Sequence, residues 1–178
     1  MVTKIGDIYN DKFMHVSRVM SDKTGDKAFV TFGRNKTNTG AIIVPVTKEG
    51  KILLTKEYRV AADTFVVGVP KGAADTVNEP SASIVDRELC EEIGATYSRI
   101  EETKLTVYPL PAFADFSGHV VFAYDVEICS DASLEEGEVI ELYGTFTCTE
   151  VLKLLKDGVI NDAESAMALQ AYLLDKVL

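Results

Sequence analysis

Residues 72–94 hold the pattern that most narrows what this chain can become. Ala82, Val85, Leu89 and Ile93 recur at helical spacing, so one face of a helix there is apolar, while Glu88, Glu91 and Glu92 gather on another. Pro80 stands where a first-turn proline is tolerated, Asn78 or Glu79 is placed to cap, and Gly94 supplies the usual stop. The helix is expected to be anchored on one side and acidic on the other. Glu88 and Glu92 lie one turn apart, a like-charge pair that costs an isolated helix roughly 0.2–0.5 kcal/mol. Arg87 can pair with Glu91 and reach towards Glu79, but one guanidinium cannot neutralise Glu79, Asp86, Glu88, Glu91 and Glu92 together. Such a face is either solvated or balanced by hard divalent cations, which take oxygen ligands.

The flanks read as strands before this helix and as strands followed by helices after it. Residues 13–20 and 28–32 surround a turn-rich stretch and predict an N-terminal antiparallel hairpin. Residues 41–46 and 51–56 flank Thr47-Lys48-Glu49-Gly50 and predict a second hairpin. Further strands are expected over 64–69, ending at Pro70-Lys71-Gly72, and over 103–108, 119–128 and 139–147. Two helices follow, over 149–156, stopped by Asp157-Gly158, and over 162–177, where Leu169, Leu173 and Val177 form an apolar stripe. With 178 residues, 47% of them hydrophobic, the chain can close one well-filled core of mixed α and β class. The expected division is an N-terminal subdomain of residues 1–38 and a main domain of residues 39–178.

A formal net charge of −10 argues against a partner such as a nucleic-acid polymer, whose backbone demands clustered Lys and Arg. A small phosphorylated substrate remains compatible, because cations held between carboxylates and phosphate offset the repulsion locally. Cys90, Cys129 and Cys148 are odd in number and lack CxxC spacing, so reduced structural thiols are expected rather than disulfides or zinc. Residues 1–10 lack the apolar stretch of a signal peptide, and no run approaches a membrane span. A soluble, cytoplasmic chain with no membrane partner is the expectation.

The spacing of Gly72, six residues, Glu79, seven residues, then Arg87-Glu88-Leu89-Cys90-Glu91-Glu92-Ile93-Gly94-Ala95 closely resembles the Nudix box, with one residue more between its glycine and first glutamate. The likeness extends from about Ala41 to the end. Tyr58-Arg59-Val60-Ala61-Ala62-Asp63 is similar to the segment of ADP-ribose pyrophosphatases whose arginine contacts substrate phosphate. Pro111, sixteen residues beyond Ala95, is similar to the proline that marks that branch. Gly68-Val69-Pro70-Lys71-Gly72 is closer to the bacterial ADP-compounds hydrolases, which accept ADP-ribose, NADH and some dinucleoside polyphosphates.

That resemblance implies an α/β fold, an α/β/α sandwich with a mixed sheet, and an N-terminal hairpin at a homodimer interface. It implies Mg2+, or Mn2+ in its place, held by Glu88 and Glu92, with Glu91 and the backbone carbonyl of Lys71 as further ligands. Gly72, Glu79, Arg87 and Gly94 would then shape and orient the box. The implied reaction is hydrolysis of the pyrophosphate in a small nucleoside diphosphate compound. A general base or extra ligand is expected from the loop Glu135-Glu136-Gly137-Glu138, at Glu136 or Glu138, with Glu91 also a catalytic candidate. Arg59 would grip phosphate. Tyr58 and Phe65 are candidates to stack on adenine, although single aromatics beside strands are more often core. A nucleotide-sugar hydrolase acting on GDP-mannose, or a non-catalytic ADP-ribose sensor, stays open as an alternative.

Overall fold

A computed structural model describes residues 1–176, so Val177, the last position of the expected apolar stripe, lies outside the described residues. The chain opens with three antiparallel strands, β1 (Val2–Asn10), β2 (Met14–Ser21) and β3 (Phe29–Arg34), in the order β1-β2-β3. The expected hairpin is thus β2 and β3 of a three-stranded sheet, with β1 added along the other side of β2. The first strand escaped the sequence reading because it has no buried face: all nine residues are exposed, and two register shifts break its pairing with β2. Without one face inside, period-two alternation is not enforced.

The remaining elements follow as β4 (Thr39–Val46), β5 (Ile52–Arg59), β6 (Thr64–Gly68), β7 (Lys71–Ala73), α1 (Ser81–Ile93), β8 (Ala95–Thr96), β9 (Arg99–Val107), β10 (Ser117–Tyr124), β11 (Glu127–Ile128), β12 (Ile140–Phe146), α2 (Cys148–Lys156) and α3 (Ala163–Asp175). A seven-stranded sheet runs β12-β5-β4-β10-β9, with β6 paired to β5 and β7 to β4. The β4–β10 pairing is parallel and the others are antiparallel, so the sheet is mixed. The strand expected over 119–128 is two strands, because Asp125 turns into the left-handed region at φ 56. β9 starts four residues before the expected 103, pairing Arg99 to Tyr124.

Alternation along β4 explains the layers. Ile42, Val44 and Val46 pack with Val151, Leu169, Tyr172 and Leu173 from α2 and α3. Ala41 and Ile43, on the opposite face, pack with Ile84, Val85, Leu89 and Ile93 from α1. One sheet with a helical layer on each side is an α/β/α sandwich. Each fully buried aliphatic side chain, such as Leu89, contributes roughly 1.5–3 kcal/mol. The α1 helix begins at Ser81 with Pro80 as its cap residue and no side-chain cap, while Asn78 sits in the left-handed region and does not cap it. Gly94 ends it in the left-handed conformation, as its sequence position implies.

Candidate active site

The acidic face of α1 is not the solvated side of the helix. Glu88 and Glu92 are 7% and 6% exposed, whereas Glu91 is half-buried. On a helical wheel they flank Val85 and Leu89, so the packing that buries the apolar stripe carries them under the edge of β7. There the Lys71 N–H donates to Glu92 Oε1 at 3.3 Å. Gly72 lies against the Glu88 carboxylate so closely that a Cβ at position 72 would strike it. The box glycine is glycine here for want of space.

Arg87 fastens the helix to this strand. Its Nη2 donates to the Ala73 carbonyl at 2.7 Å, and its Nη1 bonds Glu88 and approaches Glu91 Oε2 at 3.5 Å. Its Nε lies 3.4 Å from Asp75 Oδ2. Glu79 is not among the partners of Arg87; its carboxylate instead accepts the Asp75 N–H at 2.5 Å. Burial pushes the Glu88 carboxyl up to about 6, against the pull of Arg87. Burial, reinforced by neighbouring Glu88, raises Glu92 well above the usual carboxylate range. Burial likewise raises Glu57.

Carboxylates buried with so little hydrogen bonding fit a hard divalent cation, whose charge would offset the desolvation that raises them. Among the described residues, no three His, Cys, Asp or Glu side chains already converge as a ligand set. Arg87, which bonds Glu88 and approaches Glu91, occupies part of that donor set.

Two cavities meet here. An acidic one of about 230 Å³ is lined by Glu57, Glu88, Glu91, Glu92, Glu135 and Glu138 among others. A second, of about 430 Å³, is largely apolar, with Met14, Phe32, Ile42, Leu110 and Phe116 in its wall. Arg34, Arg59, Lys71, Gly72 and Ala73 line both. Three cationic residues, Arg34, Arg59 and Lys71, therefore lie where the apolar and carboxylate chambers meet, the Lys71 ammonium being paired with Asp162.

The structure gathers Arg59, Lys71, Gly72, Arg87, Glu88, Glu91, Glu92 and Glu138 around the acidic cavity. Glu136 does not line it, whereas Glu135 does. Glu138 acts electrostatically on both Glu57 and Glu88, raising each. Tyr58 and Phe65 line neither cavity: they face each other across β5 and β6 with ring centroids 5.5 Å apart. Alternation on β5 points Tyr58 away from the face that carries Glu57 and Arg59. Pro111 is exposed in a turn, and its neighbours Pro109 and Leu110 line the apolar cavity. The sequence reading missed Glu57, although its place two residues before Arg59 puts it on the same strand face. It also missed Arg34, Asp75, Phe32 and Phe116, which depend on contacts between distant segments. The three cysteines are free, but Cys90 and Cys129 are exposed rather than structural.

No family model matches the chain. It is 34% identical over 142 residues to the ADP-ribose pyrophosphatase of Bacillus subtilis (strain 168), covering 78% of this chain and 75% of that protein. It is 28% identical over 141 residues to the methanol dehydrogenase activator of Bacillus methanolicus, again covering 78% and 75%. Among solved structures, the crystal structure of an ADP compounds hydrolase superposes with a TM-score of 0.72 at 22% identity, covering 100% of this chain and 91% of that one. The fold, the gathering of Gly72, Arg87, Glu88, Glu91 and Glu92 at one cavity and the 34% identity to an ADP-ribose pyrophosphatase agree, and the chain belongs to the Nudix hydrolase family, in its ADP-ribose pyrophosphatase branch.

Proposed function

We propose that this chain hydrolyses the pyrophosphate bond of ADP-ribose and related ADP compounds, including NADH and dinucleoside polyphosphates, to AMP and a second phosphorylated product. The observation that carries this reading is the row of Arg34, Arg59 and Lys71 between the apolar and carboxylate chambers. A nucleoside diphosphate has the same division, with an apolar base at one end and an anionic pyrophosphate beside it. The relatives named for ADP-ribose and ADP compounds support the adenosine class.

The apolar chamber, with Phe32 and Phe116 in its lining, takes the base, and the Arg34 and Arg59 guanidiniums orient the phosphates as charge-assisted donors while the Lys71 ammonium stays with Asp162. Glu88 and Glu92, with Glu91 and the Lys71 carbonyl, would hold Mg2+, or Mn2+ in its place. When bound, such ions neutralise phosphate charge and acidify water. Glu138 is the carboxylate placed to take the proton from the attacking water, because it lines the acidic cavity on the loop facing α1. The new bond forms between that water oxygen and one phosphorus as the bridging oxygen departs with the other phosphate.

The N-terminal sheet supports a homodimer, with residues 1–38 as the dimerising subdomain. Val2, Ile5, Ile8 and Val30 are at least half exposed there, an apolar surface suited to a second copy. We place the enzyme in the cytoplasm; among the described residues, no helix is long and apolar enough to cross a membrane.

Product analysis with ADP-ribose, NADH and GDP-mannose in Mg2+ tests the reading. AMP from the first two, with GDP-mannose turned over poorly, is expected. Preference for GDP-mannose would move the chain to the nucleotide-sugar hydrolases, and tight ADP-ribose binding without product would make it a sensor.

A further inference from the structure

Arg87 Nε is buried and has no hydrogen-bond acceptor, the one such side-chain atom found among the described residues. Asp75 Oδ2 lies 3.4 Å from it, a charge contact that falls short of a hydrogen bond. Asp75 is itself firmly held: its N–H donates to Glu79 at 2.5 Å, and its Oδ1 takes Lys36. It also lines the acidic cavity. It rides on the loop between Gly72 and Glu79, which is one residue longer than the family spacing. A guanidinium whose Nη1 is committed to Glu88 thus has, on its unsatisfied side, a second carboxylate only about 0.2 Å beyond hydrogen-bond range.

We propose that Asp75 is a positioning residue that draws Arg87 off Glu88, freeing that carboxylate to take a divalent cation. The inference rests on the reading of Glu88 as a metal ligand. Any cation that approaches Glu88 competes with the guanidinium already bonded to it. By moving towards Asp75, Arg87 exchanges one anion for another and satisfies its orphan Nε, so the competition costs little. Without the Asp75 charge, Arg87 keeps Glu88 and the cation binds against it. Lys36 works in the opposite sense, because it shares the same carboxylate and weakens its pull on Arg87.

The test is Mn2+ binding followed by electron paramagnetic resonance on the full chain, for the wild type and for Asp75→Asn, Asp75→Glu and Lys36→Met. Asp75→Asn is expected to weaken Mn2+ binding by about tenfold, the size of one charge-assisted contact. Asp75→Glu should restore it to within about threefold, and Lys36→Met should bind as tightly as the wild type or more tightly. Binding by Asp75→Asn equal to that of the wild type overturns the proposal. Equal weakening by Asp75→Asn and Lys36→Met overturns it too, since it would show a loop braced by an ion pair and nothing more. If Asp75→Asn does not fold, the Asp75→Glu and Lys36→Met titrations still decide, because weakened binding in Lys36→Met contradicts the opposed roles. A wild type that binds no Mn2+ brings down the metal reading itself, and the inference with it.

Discussion

Lys71 and Asp162 stand 91 residues apart in the chain and meet in an ion pair of 2.9 Å, with side chains only 13% and 17% exposed. The contact ties the strand leading into the box to the start of α3, where Asp162 also caps the helix by accepting the Ser165 N–H at 3.0 Å. Burial alone would raise Asp162, but Lys71 and Ser165 outweigh it and hold its carboxyl below the usual value. A depressed carboxylate stabilises the fold at neutral pH and loses that contribution as pH falls through its folded value. Asp162→Asn strands the Lys71 ammonium, and removing one partner of a buried pair costs about 3–5 kcal/mol. The expected loss is about 3 kcal/mol, since the pair is not fully enclosed. Urea denaturation would read it as a lower midpoint at unchanged slope.

Glu88 predicts a pH dependence of the opposite sign. Its folded value is raised to about 6 from 4.5, so between those values the folded state binds more protons than the unfolded one. Its contribution is fully present below 4.5 and is lost as pH rises through about 6. With divalent ions chelated, the stability of the wild type relative to Glu88→Gln should therefore increase as pH is lowered from about 7 to about 5. Denaturation midpoints of the two proteins across that range give the difference. A flat difference would mean that Arg87 fully compensates the buried charge.

Arg59 is 42% exposed along its side chain, but its partner Glu57, at 2.5 Å, is only 17% exposed, so removing Arg59 should cost the fold about 1–3 kcal/mol. Because it lines both cavities, Arg59→Ala should raise KM for ADP-ribose by about 10-fold to 100-fold, with a smaller effect on kcat. Steady-state kinetics separates the two. Unchanged KM for every accepted substrate would take Arg59 out of phosphate binding.

In the loop after β11, Glu138 and Glu135 line the acidic cavity and Glu136 does not. Glu138→Gln should lower kcat by ~10²–10⁴-fold without rescue by added Mg2+, as loss of a general base does. Glu136→Gln should stay near wild type, and Glu135→Gln should fall between them. A defect in Glu138→Gln that excess Mg2+ repairs would make it a ligand instead, because mass action restores a weakened site.

The parts of the fold that could be read from the sequence are those whose pattern is enforced by one buried face. The α1 stripe of Val85, Leu89 and Ile93 is of this kind, whereas β4, buried on both faces, is legible as a short continuous apolar run. β1 was invisible because nothing buries it. The box spacing located Glu88 and Glu92, but not their burial, which depends on β7 crossing over the helix. Lys71 was read for its backbone, and its side-chain pairing with Asp162 could not be foreseen across 91 residues. The aromatics were misplaced for a local reason: Tyr58 neighbours Arg59 in sequence, and on a strand that adjacency means opposite faces.

The crowding of Gly72 against Glu88 separates folding from activity at one position. Gly72 does not have a positive φ, so alanine there meets no backbone strain, and what its methyl group strikes is the tip of a flexible side chain. The side chain can swing away while the sheet and helix stay as they are. On the proposal that Glu88 holds a metal, Gly72→Ala is expected to keep the circular dichroism of the parent while losing turnover, an inert twin in which an intact substrate could be trapped and seen.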